Sequence, residues 1–154
     1  MFSKILACFG LGRKDDGFSD LRFEEGASFR RARWGMTLEE VRGLEAGAPV
    51  FSSDTTLMYE AQVLGRKCVI SYAANKAGKF YNGAYAFTGL KPEESAELAE
   101  KIRGFLASSL EVVGEMPMHD GGVIYDFNRG ADSVTLTKKD AMVAVAFFSK
   151  ETVK

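Results

Sequence analysis

The stretch from Leu57 to Phe87 constrains this chain more than any other, because it reads as three strands joined by two tight turns. Leu57, Tyr59, Ala61 and Val63 alternate with Met58, Glu60, Gln62 and Leu64. A period of two puts the first set on one face of a strand and the second on the other. Gly65-Arg66-Lys67 supplies a turn, and the chain returns through Cys68 to Ala74 with Cys68, Ile70 and Tyr72 in line. Asn75-Lys76-Ala77-Gly78-Lys79 has the composition of a hairpin turn. Phe80 to Phe87 follows, with Tyr81, Tyr85 and Phe87 expected on one side and small residues on the other. The pattern predicts an antiparallel meander with an apolar face that something must cover.

Two helices are placed to do so. Pro92 suits a first helical turn, where its missing amide costs nothing. Glu93, Glu94 and Glu97 favour the positive end of the dipole. Leu98, Ile102, Phe105, Leu106 and Ser109 form the inner stripe of a helix ending near Leu110, before Gly114 and Pro117. A shorter helix is expected from Leu38 to about Ala46, with Val41, Leu44 and Leu38 facing inward and Gly47 and Pro49 ending it. Thr37 and Glu40 have capping-box spacing, and Met36 and Val41 stand at the positions of a hydrophobic staple.

After a loop over Met116 to Gly122, strands are predicted for Val123 to Asn128, Ser133 to Lys138 and Met142 to Ser149. The last is apolar on both faces, as an inner strand would be. The expected class is therefore α+β: an antiparallel sheet of about six strands with two helices on one face, in the order α-β-β-β-α-β-β-β. The halves look alike in architecture without a residue-level repeat. Residues 1–21 are expected to be a flexible segment and 22–154 a single α+β domain, in keeping with a length of 154.

Composition narrows the function. Lys+Arg is 20 against 21 for Asp+Glu, a formal net charge of -1, which argues against a nucleic-acid binder. Cys8 and Cys68 belong to no CxxC pair and are expected as reduced thiols. One histidine, His119, rules out any site built on several imidazoles. No P-loop, dinucleotide fingerprint or metal-spacing motif occurs, so no cofactor and no metal are expected. The N-terminal apolar run is too short to span a membrane and lacks the form of a secretory signal. Phe2, Ile5, Leu6 and Phe9 would share a helical face able to touch a membrane or a partner. A cytoplasmic location is expected, with envelope association as the alternative.

Few residues invite chemistry. His119-Asp120 in a glycine-rich loop has the makings of a general base, yet no nucleophile motif accompanies it and a surface turn explains it. Arg30, Arg31 and Arg33 beside Trp34 offer guanidinium groups to a phosphate, a carboxylate or an acidic partner. The same arginines would also protect an exposed edge strand, on which Ala32 and Trp34 share one face and Arg31 and Arg33 the other. Among the tyrosines, Tyr81 and Tyr85 are candidates for a binding surface.

The run Trp34-Gly35-Met36-Thr37-x-x-Glu40-Val41 resembles the start of the β-lactamase-inhibitory-protein-like group. That group is related to SmpA/OmlA-type outer-membrane assembly lipoproteins, and in it a Gly-Met-[Ser/Thr]-x-x-x-Val helix start precedes a meander. Leu57 to Phe87, the helix to Leu110 and Gly114-x-x-Pro117 extend the likeness over about Phe29 to Ser149. The resemblance implies an antiparallel sheet presented to a protein partner, without a catalytic site. The expected function is thus a non-catalytic protein-binding module using its exposed sheet face or the basic edge near Trp34. The alternatives are a small-ligand pocket between the second helix and the aromatic strands, or a hydrolase using His119.

Overall fold

A computed structural model of the protein describes residues 27–150. The expectations for residues 1–21, for the Phe2 to Phe9 face and for Cys8 lie outside the described residues. The elements are α1 (Leu38–Arg42), β1 (Phe51–Ser52), β2 (Thr56–Val63), β3 (Arg66–Ala74), β4 (Phe80–Phe87), α2 (Pro92–Ser109), β5 (Glu111–Pro117), β6 (Val123–Arg129), β7 (Asp132–Lys139) and β8 (Met142–Ser149). They form an α+β fold with one antiparallel sheet of eight strands in the order β1-β2-β3-β4-β8-β7-β6-β5. Each half is a helix followed by four strands, and the halves join where β4 pairs with β8.

Alternation explains which face is buried. Leu57, Tyr59, Cys68, Ile70, Tyr72, Phe80, Tyr85, Phe87, Phe127, Val134, Leu136, Val143, Val145 and Phe147 pack into one core. Val41 of α1 and Leu98, Ala99, Ile102 and Leu106 of α2 close over the same side. Both helices therefore cover one face, and no described element covers the other. No helix among the described residues is long and apolar enough to cross a membrane.

The expected six strands become eight because β1 and β5 escape a search for alternation. β1 has only two residues. β5 carries a register shift between Val112 and Gly114, so Val113 breaks the period, and Pro117 ends it. Proline suits an edge strand, where its missing N–H leaves no ladder bond unmade. The chain order is thus four strands after each helix rather than three.

Four local expectations also change. The first helix stops at Arg42, not near Ala46: Gly43 is its C-cap, and beyond it the Leu44 and Glu45 amides bond only three residues back, to the Val41 and Arg42 carbonyls. Phe80 rather than Tyr81 joins the buried face: Ala73 pairs with Asn82 but Ala74 with Phe80, so Tyr81 falls in the bulge. Ser109 is exposed, and Ser95 takes a buried place on α2 instead. Finally, Phe29 to Trp34 forms no strand. Phe29 and Ala32 exchange backbone hydrogen bonds of 3.1 and 2.9 Å across a tight turn, with Arg30 at φ 55. The turn drives both Phe29 and Ala32 inward, where 0% and 1% of each is exposed.

Candidate interaction surfaces

The tight turn fastens the N-terminal end of the described chain to the sheet. The Phe29 ring sits over Gly83, whose missing side chain makes the room: a Cβ there would lie 2.3 Å from the ring. Tyr72, Tyr85, Phe147 and Phe80 surround it, with ring centroids 5.5, 5.0, 5.6 and 6.4 Å away. Such tilted and edge-on contacts add to the burial of apolar area.

The predicted binding residues divide sharply. Arg30 is committed inward: its Nε donates to Glu45 Oε2 at 3.0 Å, and the Tyr72 hydroxyl donates to the same oxygen. Burial works against the Arg30 charge, but Glu45, then Tyr85 and Tyr72, hold its pKa above the ordinary value. Burial and the Glu45 contact push the Tyr72 hydroxyl up as well. Burial does the same to Tyr59, whose hydroxyl has no hydrogen-bond partner among the described residues. Tyr85 is wholly buried in the core, while Tyr81 is partly exposed.

Trp34 is a half-buried anchor. Its Nε1 donates to Asp132 Oδ1 at 3.0 Å and its ring lies 4.9 Å from that of Phe80. Arg129 also engages Asp132, at 2.9 Å, and donates to the Ser28 carbonyl at 2.6 Å. Arg31 and Arg33 remain on the exposed side. They do not lie on an edge strand, since β1 and β5 are the sheet's edges. This segment instead abuts the β3–β4 turn, through Gly35 N–H to the Phe80 carbonyl and Phe80 N–H to the Met36 carbonyl, both 2.8 Å.

The uncovered sheet face can be read from the register. One cross-strand row runs Phe51, Met58, Ser71, Ala84, Ala146, Thr135, Asp126. The next runs Glu60, Val69, Ala86, Ala144, Thr137, Ile124, Met116. In these two rows the floor across β3, β4, β8 and β7 is mostly Ser, Ala and Thr, and the adjoining row Ala73, Asn82, Phe148, Ser133 bounds it with the Phe148 ring on β8. Larger apolar groups stand at its sides: Met58 and Phe51 toward β1, Ile124 and Met116 toward β5. Phe51 and Met116 are 50% and 56% exposed. Asp126 accepts from Thr135 at 3.3 Å on this face rather than pairing with Arg129. A depression of about 190 Å³ lies at one end of the floor, lined by Glu60, Lys67, Cys68, Val69, Ala86 and Thr88. That is below the roughly 300–1,000 Å³ of small-molecule sites.

The remaining candidates do not assemble into a catalytic group. Lys139 Nζ takes Asp120 at 2.7 Å and holds its pKa below the ordinary value, while His119 is exposed. Among the described residues, no cluster of three or more His, Cys, Asp or Glu is placed to hold a metal ion. The space between α2 and the aromatic strands is filled by Leu98, Ile102, Leu106 and their sheet contacts. Strand alternation sorts the residues into two faces but does not say which of them the helices cover. The inward use of Arg30 was not, since it depends on Glu45, fifteen residues away. No family model, curated protein or solved structure matches this chain.

Proposed function

We propose that this protein is a non-catalytic binding module that receives a partner protein on its uncovered sheet face. The observation that carries the reading is a floor mostly of Ser, Ala and Thr across the four central strands, bounded at one end by Phe148 and flanked by exposed apolar groups at both sides. Four strands at about 4.8 Å spacing make a floor about 14 Å wide between the outer strand axes. An α-helix of about 10–12 Å diameter fits that width. Bulky side chains from such a helix would fill the space left by the small floor residues. Two copies stacked face to face would not, because sheets pack about 10 Å apart and two floors of small residues leave the gap unfilled. The sheet edges are poorer docking sites: β1 is very short, and β5 carries a bulge, Glu111, Glu115 and Pro117. The likeness to inhibitory-protein-like sequences points the same way.

Ala84→Arg and Ala146→Arg each place a long charged side chain on the floor without entering the core. A partner cross-linked to the wild-type protein should be lost by both variants, with circular dichroism and Tm retained, and kept by Arg31→Glu. Capture that survives both floor substitutions removes the face from the proposal.

A further inference from the structure

We infer that the sheet end around Trp34 is a second, separate docking surface, for an acidic protein segment. Arg33 lies on one loop and Lys76 and Lys79 on another, and the paired backbone of Gly35, Met36 and Phe80 brings the loops side by side. All three side chains are exposed, as is Arg31, and none of the three forms an ion pair with a described residue. The opposite end of the sheet differs: there Arg66 pairs with Glu94, Lys67 with Glu60 and Lys139 with Asp120.

Carboxylates near the basic end are largely engaged. Asp132 serves Trp34 and Arg129, Glu45 serves Arg30 and Tyr72, and Glu40 folds back on the Thr37 amide. Glu39 and Asp54 are the exposed acids on the adjoining helix and turn. Uncompensated like charges repel one another and return nothing to the fold. Cations spread over two loops match a row of carboxylates better than a single anion, which would need donors converging on one point.

Trp34 is the only tryptophan in the chain, so its emission reads this surface directly. Titrating the full chain with a deca-glutamate peptide should shift that emission saturably, with affinity falling steeply from 20 to about 200 mM salt. Arg33→Glu/Lys79→Glu should weaken binding at least tenfold, and the milder Arg33→Gln/Lys79→Gln by less. Lys101→Glu, on α2, and Ala84→Arg, on the floor, should leave it unchanged; the latter separates this surface from the floor. The inference is overturned if the peptide leaves the emission unchanged, or if charge reversal does not weaken binding. It is also overturned if vesicles containing phosphatidylglycerol bind and the peptide does not.

Discussion

Gly83 and Phe29 behave as one unit at the scale of single residues. Adding a methyl group at position 83 drives a Cβ into the Phe29 ring at 2.3–2.7 Å, with the sheet behind it and other aromatics around it. Gly83→Ala should cost about 1–3 kcal/mol by overpacking, and Phe29→Ala about 3–5 kcal/mol by cavity formation. Urea denaturation of the double variant should show a total loss smaller than the sum, because each change relieves the other; strict additivity would disprove the contact. Arg30 offers a second test. Its left-handed backbone favours glycine, while its side chain holds Glu45. Arg30→Ala should therefore destabilise by about 1–3 kcal/mol, and Arg30→Gly by less. The reverse order in denaturation midpoints would remove the argument.

Among the elements, β5 most needs its irregularities. Val112, Val113 and Met116 are over half exposed on a strand that no other described strand flanks on its outer side, which is a setting for edge-to-edge association. The bulge, Glu115 and Pro117 oppose it. Glu115→Val combined with Pro117→Val should promote concentration-dependent aggregation, visible by light scattering, with little change in Tm. The same irregularities hid the strand from sequence reading, since Val112-Val113 and Gly114 break alternation and Pro117 reads as a stop. Regular elements were legible for the opposite reason. β2 and β3 keep a strict period, and α2 announces itself through Pro92 and the Glu94 carboxylate that accepts from the Lys91 amide at 2.9 Å. Turns escaped where a long-range partner decides them. Arg31 to Trp34 alternates in a way that suits a strand, but Phe29 and Ala32 pair across a turn that seats Phe29 in the well over Gly83. For the surfaces, alternation gave the two faces of each strand but not which one stays uncovered, and the pairing of Arg30 with Glu45 depended on where α1 ends.

For the molecule as a whole, carboxylates at the start of α2 and in the β5–β6 loop set an acid response. Glu94 lies below its ordinary 4.5 through the Lys91 amide, and Asp120 below its ordinary 3.8 through Lys139. Each ionised carboxylate favours the folded state, so its contribution is present above the ordinary value and is lost as pH falls through the folded one. Tm should decline as pH drops below about 4.5, and Glu94→Gln should flatten that decline; an unchanged slope would exclude Glu94 from it. Docking on the floor should depend little on salt, and docking at the Trp34 end strongly.

The seam between β4 and β8 has a consequence for how the chain is made. β8 is the last described strand, yet it stands at the centre of the sheet, hydrogen-bonded to β4 on one side and β7 on the other. During synthesis both half-sheets must wait, each with a raw edge, until about residue 149 has left the ribosome. Until then the β4 and β7 edges carry unpaired backbone groups that another chain can pair with. Two such chains could also exchange β8, each completing the other's sheet.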